Sequence, residues 1–122
     1  MTQEKAFACD LTALTKGEME GLVANSEKLL GGADELRILP DGYAFGYRKA
    51  SPEILRNMAD FIALDRLCCS FLRHGLVSDA GGGSTWLEMT GARGAKEALQ
   101  AEVLRLVRPE VARAAGLAAV AP

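Results

Sequence analysis

A tight turn at Leu39-Pro40-Asp41-Gly42 is the feature that most restricts the fold of this chain. Apolar residues alternate with others on both sides of the turn: Leu36 and Ile38 before it, then Tyr43, Phe45 and Tyr47 after it. A period of two is typical of strands, and proline, aspartate and glycine together favour a turn. The pattern predicts a β-hairpin between Glu35 and Tyr47, whose strands must pair antiparallel.

A second pair of strands is predicted around a glycine-rich loop. Leu76-Val77-Ser78 and the segment 85–89 have strand composition, and Ala80-Gly81-Gly82-Gly83-Ser84 between them favours neither strand nor helix. A short first strand is also predicted at Ala6 to Leu11, where apolar residues alternate weakly.

Three segments carry helix signals. Thr15 and Glu18 match a capping box, and the helix they begin should stop at Gly31-Gly32 in a left-handed cap. Ser51-Pro52-Glu53 predicts the start of a long helix that runs to His74-Gly75. A last helix should start after 91–94, end at Pro109 and bury four residues: Ala95, Leu99, Val103 and Leu106.

These elements predict an α+β fold in the order β-α-β-β-α-β-β-α, with a mainly antiparallel sheet and three helices. The length of 122 residues favours a single domain over 1–122, with a flexible tail from about 110 to 122. A net charge of −2 provides no broad basic surface, so we expect no nucleic-acid partner. No stretch reaches the ~20 apolar residues of a membrane span, and no signal peptide is visible. We therefore expect a cytoplasmic protein without a membrane partner.

An acid and two adjacent cysteines form the chemically distinctive cluster of the sequence. On the helix predicted from Pro52, Asp65 falls near the centre of the apolar stripe, an unfavourable place for a lone carboxylate. Cys68 and Cys69 follow at i+3 and i+4, so their side chains project into the same region as Asp65. A buried Asp65 needs a hydrogen-bond partner, a cation or a raised pKa.

Thiolate sulfur binds soft metals, and adjacent helical cysteines are poorly placed to bond to each other. The cluster therefore predicts a site for a soft ion such as Hg, As or Zn, or for a thiol-reactive ligand. Cys68 and Cys69 would be its sulfur ligands, Cys9 a possible third, and Asp65 would balance their charge. We expect no resident cofactor beyond such an ion and assign no catalytic residue.

Two alternatives remain open on the residues alone. Free cysteine is often buried as a small hydrophobe, so the cluster could be core packing in an interaction module that forms a homodimer. Its dimer face would be a second apolar strip on the helix: Leu64, Leu67 and Phe71. The other alternative is a thiol redox sensor. An enzyme is least favoured, because His74 is the only histidine and no nucleophile has a base at a recognisable spacing. We expect His74 to complement the dipole at a helix end.

The segment 63–72, Ala-Leu-Asp-Arg-Leu-Cys-Cys-Ser-Phe-Leu, resembles a group of small uncharacterised bacterial proteins with the pattern acid-R-x-C-C-x-F-L. The resemblance extends over roughly residues 8 to 104 and includes Trp-Leu-Glu-Met-Thr-Gly at 86–91. It matches Cys9, Cys68 and Cys69; Asp65 stands where the group usually has Glu, and Ser70 where it often has Pro. Such proteins often lie beside mercury- or arsenic-resistance genes, so the resemblance implies a heavy-metal function in a bacterial resistance or stress system.

Overall fold

The computed structural model describes residues 10 and 12–117 of the chain. This part contains four strands and four helices, together with a 3₁₀ turn at Ala80–Gly82. The helices are α1 (Lys16–Gly31), α2 (Pro52–Cys68), α3 (Ala95–Leu106) and α4 (Pro109–Ala114). The strands are β1 (Glu35–Leu39), β2 (Gly42–Tyr47), β3 (Leu72–Ser78) and β4 (Thr85–Gly91).

The four strands form one antiparallel sheet in the order β1-β2-β4-β3. Both predicted hairpins are present, and the central pairing of β2 with β4 joins them. The α+β class and the antiparallel sheet are therefore confirmed. The predicted first strand at Ala6 to Leu11 falls almost entirely outside the described residues.

The start of α1 follows the predicted capping box. The Thr15 hydroxyl accepts a hydrogen bond from the Glu18 amide, and the Glu18 carboxylate accepts one from the Thr15 amide. Gly32 follows the helix as predicted, but with φ −96° it does not adopt the expected left-handed conformation. Its amide instead donates to carbonyls of the last turn of α1. Free carbonyls at this helix end are thus hydrogen-bonded without a residue of positive φ.

The second helix is shorter than predicted. It ends at Cys68 rather than near His74, so the residues from Leu72 onward belong to β3. The amide of Cys69 closes the last turn on the Asp65 carbonyl, and the amide of Asp10 donates to the Cys68 carbonyl at 2.7 Å. Because a neighbouring segment satisfies this free carbonyl, the chain can leave the helix at Cys69 without burying an unpaired acceptor.

The prediction of three helices is also wrong, since α4 follows α3 after a short break. Pro109 occupies the first turn of α4, where a proline costs no helical hydrogen bond, and Val111 and Ala112 are buried. The side chain of Arg108 donates to the Ala33 carbonyl at 2.8 Å, which ties this region to the loop before β1. The first residues of the expected tail are thus packed helix; residues 118–122 lie outside the described part.

The sheet has two unlike faces. The core face packs against the helices and carries alternate strand residues: Leu36, Tyr43, Phe45, Tyr47, Leu72, His74, Leu87 and Met89. The opposite face carries the residues between them, among them Arg37, Ala44, Gly46, Gly75, Trp86 and Glu88. Burial of the core face against α1, α2 and α3 supplies the main hydrophobic stabilisation of the fold.

Of the helices in the described ranges, none is long and apolar enough to cross a membrane.

Candidate functional site

Asp65 lies in the last turn of α2 and is buried, with 7 % of its surface exposed. Its position on the apolar face of α2 was predicted, and Met58, Phe61 and Cys68 of the same helix are also buried. A carboxylate in such a place requires a polar partner, because burying it without one costs on the order of several kcal/mol of folding free energy. The structure provides that partner from the sheet.

His74 is the partner of Asp65. Nε2 of the imidazole donates to Oδ2 of the carboxylate at 2.7 Å, and both side chains are almost inaccessible to solvent. Strand β3 places His74 on the core face, directly opposite Met89 of β4. The edge of the His74 ring also meets Phe61, with ring centroids 5.9 Å apart and planes at 73°. The imidazole is therefore fixed between a carboxylate and an aromatic ring.

The expectation that His74 complements a helix end is wrong, because α2 stops six residues earlier in the sequence. Sequence reasoning missed the Asp65–His74 pair for the same reason. A signal was available: Leu72, His74 and Leu76 alternate, which indicates a strand with His74 on the same face as two leucines. A single histidine on such a face is a natural partner for a buried acid.

Cys68 is a free, buried thiol one turn beyond Asp65. Burial raises the pKa of this thiol above its ordinary value, and the negative charges of Asp65 and, to a smaller extent, Asp10 raise it further. The backbone amide of Asp10 acts in the opposite direction. The protonated thiol is thus the favoured form of Cys68 at neutral pH, and a ligand that binds its sulfur must displace the proton.

Cys69 differs from its neighbour in chemical state, since its sulfur is in a disulfide bond. It caps the C-terminal end of α2 and is buried. The predicted pair of adjacent thiols is therefore not present as two thiols in this state of the protein. The third predicted sulfur, Cys9, lies outside the described residues. Within the described ranges, no group of three or more His, Cys, Asp or Glu side chains is arranged to hold a metal ion.

A cavity of about 370 Å³ opens between α1, α2, α3 and the core face. Asp65, Cys68 and Cys69 line it together with a mainly apolar wall that includes Phe45, Phe61, Leu72, Met89, Leu99 and Val103. Glu102 and Arg105 of α3 also line it and form an ion pair at 2.9 Å, with both side chains about half exposed. Compact clefts with apolar walls and few polar groups are typical of small-molecule sites.

The predicted dimer face is divided in the structure. Leu67 is 45 % exposed on α2 and Leu64 is half-buried, as expected for a helix surface. Phe71 lies in the turn after α2 and lines the cavity, so it does not continue the strip of Leu64 and Leu67. The helical projection that joined the three residues extended beyond the end of the helix.

Of the four predicted ligands, Asp65, Cys68 and Cys69 thus meet at one cavity, and His74 joins them through Asp65. The cavity wall could not be predicted from helical spacing, because it combines residues from three helices and three strands. Comparison of the chain with protein-family models, with curated proteins and with solved structures finds no match.

Proposed function

We propose that this protein binds a soft heavy metal or a thiol-reactive ligand, with Cys68 as the primary sulfur. The observation that carries the proposal is a free Cys68 thiol that lines an apolar cavity beside the buried Asp65 carboxylate. Thiolate sulfur prefers soft ions such as Hg(II) and As(III) to hard ions such as Mg(II). The resemblance to proteins beside mercury- and arsenic-resistance genes supports the same class of ligand.

The binding step exchanges a proton for the ligand. The Cys68 S–H bond breaks as the sulfur–metal bond forms, and the proton is released to solvent. Burial makes the free thiolate costly, so only a strongly thiophilic ligand forms the bond readily at neutral pH. The negative charge of Asp65, which raises the pKa of the empty thiol, would balance the charge of a bound cation.

Two-sulfur binding by Cys68 and Cys69 requires reduction of the Cys69 disulfide by a thiol or phosphine reductant. The reduced protein should then bind one Hg(II) per chain through both sulfurs, with the loss of two thiol protons. The disulfide-containing protein should bind through Cys68 alone and more weakly. Cys9 remains a proposed third ligand in the reduced state.

Anaerobic titration with native mass spectrometry tests this proposal on reduced wild type and on Cys68→Ser, Cys69→Ser, Cys9→Ser and Asp65→Asn. We expect one Hg(II) per wild-type chain, loss of tight binding in either Cys68→Ser or Cys69→Ser, and a smaller effect of Asp65→Asn. Mg(II) and Ca(II) should not bind. If both serine variants fold less stably while metal affinity equals that of an ordinary free thiol, the cysteines are core residues and the proposal fails.

The pH dependence of Cys68 reactivity provides a second measurement. Because the pKa of Cys68 is raised, its alkylation by iodoacetamide should be slow at neutral pH and should rise through the alkaline range without an early plateau. Asp65→Asn removes a like charge and should shift this profile to lower pH. Asp60→Asn, an exposed acid on the same helix, is the matched control and should leave the profile unchanged.

The disulfide of Cys69 also favours the thiol redox sensor as a second candidate. A sensor function requires that the bond form and break under mild conditions. Titration with a glutathione redox buffer, followed by peptide mapping, measures its stability and tests whether its partner is Cys9, the remaining cysteine of the sequence. A bond that resists reduction in folded protein would mark it as structural and exclude the sensor.

Homodimer formation remains a separate proposal. The exposed Leu67 supports it, and so do Leu76 and Val77 of β3, which are 40 % and 43 % exposed. Light scattering at high concentration on wild type and Leu67→Glu measures it directly. A monomeric mass for both proteins would refute the dimer.

A further inference from the structure

The cavity contains one buried charged group within a mainly apolar wall. Asp65 is more than nine-tenths buried and lines the cavity, whereas the nearby polar pair Glu102–Arg105 is half exposed and the two charges compensate each other. A ligand that enters would therefore meet mainly apolar surface, with the Asp65 carboxylate as the buried charge. Recognition of polar groups in the cavity depends on what that carboxylate can still accept.

Asp65 retains hydrogen-bonding capacity. A carboxylate has two oxygens and about four acceptor positions. Oδ2 accepts from His74, and among the described residues Oδ1 accepts no side-chain or backbone hydrogen bond. Oδ1 is not fully enclosed by protein atoms, which agrees with a position at the edge of the cavity. A donor group on a ligand could therefore reach an acceptor that His74 already holds in place.

We propose that the cavity selects a compact ligand with an apolar body and one N–H or O–H donor, which donates to Asp65. This inference rests on the cavity of the proposed function and names the ligand class that it admits. A volume of about 370 Å³ lies near the lower end of the usual range for ligand sites, so the body is the size of one substituted ring. His74 acts as a positioning residue, because it fixes the orientation of the carboxylate.

The charge of Asp65 also sets what the cavity rejects. An anionic ligand would place a second negative charge in an apolar environment beside a buried carboxylate, which is strongly unfavourable. An unsubstituted hydrocarbon would fill the space and leave Oδ1 without a donor. Ligands with an ammonium or a hydroxyl group are both suited to the site, and they differ in whether they bring a charge.

Four probes that share a phenyl ring and are similar in size test the proposal: benzylamine, benzyl alcohol, toluene and benzoate. None of them reacts with thiols, so their binding is independent of metal capture. We expect benzylamine and benzyl alcohol to bind about tenfold or more tightly than toluene, as a hydrogen bond to a charged acceptor implies. Benzoate should bind least. Equal affinities for all four probes would overturn the inference.

Methionine methyl groups report where the probes bind. Met19 and Met89 line the cavity, whereas Met58 is fully buried and does not. With ¹³C-methyl methionine, benzylamine should shift the Met19 and Met89 resonances and leave Met58 nearly unchanged. Shifts confined to other methionines would place the probe elsewhere and contradict the proposal.

Two sets of variants separate recognition from stability. Asp65→Asn keeps an acceptor for His74 and should abolish the preference for benzylamine over benzoate, while Asp60→Asn should retain it. Ala98→Trp, at an exposed position of the cavity lining, should weaken all probes, and Ala101→Trp on the same helix should not. Retained affinity in Ala98→Trp would exclude this cavity.

Cys68→Ser distinguishes the two proposals. Cys68 lines the cavity, so absolute probe affinities can change, but the preference for benzylamine over benzoate depends on Asp65 and should persist while tight capture of Hg(II) is lost. If the probes show no preference while Hg(II) still binds through Cys68, the donor-selective cavity is wrong and the sulfur site stands. If Cys68→Ser captures Hg(II) like wild type while the probe preference persists, the sulfur site is wrong and the cavity stands.

Discussion

The two faces of the sheet differ in whether the polar side chains buried there are hydrogen-bonded. On the core face, Asp65 and His74 are buried together and satisfy each other at 2.7 Å. On the opposite face, Trp86 is 4 % exposed, and its Nε1–H has no hydrogen-bond partner among the described residues. Since unpaired buried donors are rare and costly, the comparison shows that polar matching is concentrated beside the cavity.

Close packing takes the place of polar matching on the opposite face. The Trp86 ring lies against Gly46 of the neighbouring strand, so closely that a Cβ added at Gly46 would be 2.6 Å from a ring carbon. The Arg37 guanidinium lies over the ring, 3.8 Å from its centroid. The indole therefore contacts both a glycine and a cation, without use of its donor.

The largest expected effect is at the buried pair of the core face. Asp65→Ala leaves the His74 imidazole buried without its acceptor, and the loss of one partner of a buried pair costs about 3–5 kcal/mol. Urea denaturation measures this change in the free energy of unfolding. Asp60→Ala, exposed on the same helix, should change it by less than about 0.5 kcal/mol.

A double variant sharpens the same comparison. Asp65→Leu combined with His74→Leu removes both polar groups and supplies apolar side chains, so its cost should be well below the sum of the two single replacements. Additive costs would show that the pair does not act as a unit. The cavity would then lack the fixed carboxylate on which ligand selection depends.

The second largest effect is expected at the close contact of the opposite face. Gly46→Ala forces a shift of the Trp86 ring, which is buried and cannot swing into solvent, and should cost about 1–3 kcal/mol. Gly21→Ala is the matched control, since an added Cβ there meets nothing within 4 Å in an exposed part of α1. That variant should gain up to about 1 kcal/mol from helix propensity. A stable Gly46→Ala protein would mean that the ring is not confined.

Local sequence signals were sufficient for most of the fold. The Leu39–Gly42 turn, the Thr15 capping box and the Ser51-Pro52 helix start each depend on neighbouring residues, and each is present in the structure. The end of α2 depends instead on a tertiary contact, the hydrogen bond from Asp10 to the Cys68 carbonyl. Spacing along one helix contains no information about such a partner, so the predicted helix continued to His74.

The candidate site likewise combines features that follow from local spacing with features that depend on tertiary contacts. The burial of Asp65 and its grouping with Cys68 follow from helical periodicity and were predicted. The contact with His74 depends on the packing of β3 against α2, and the disulfide state of Cys69 requires a partner from another segment. Both are products of tertiary structure. They determine which predicted ligand is a free thiol and how the carboxylate is oriented.

The smallest expected effect concerns the cation over Trp86. Arg37→Gln removes the charge while it keeps most of the side chain, and an exposed cation–π contact is worth about 0.5–1 kcal/mol. Trp86 is the single tryptophan of the chain, so tryptophan fluorescence reports on the surroundings of this ring. Arg73→Gln, an exposed arginine on the same face, is the control and should alter neither stability nor emission. Arg37→Lys should lie between wild type and Arg37→Gln, because lysine keeps the charge but cannot stack on the indole as a plane. Equal losses of stability in Arg37→Gln and Arg73→Gln would attribute the effect to net charge. The packing of Trp86 would then be stabilised by the Gly46 contact without a contribution from Arg37.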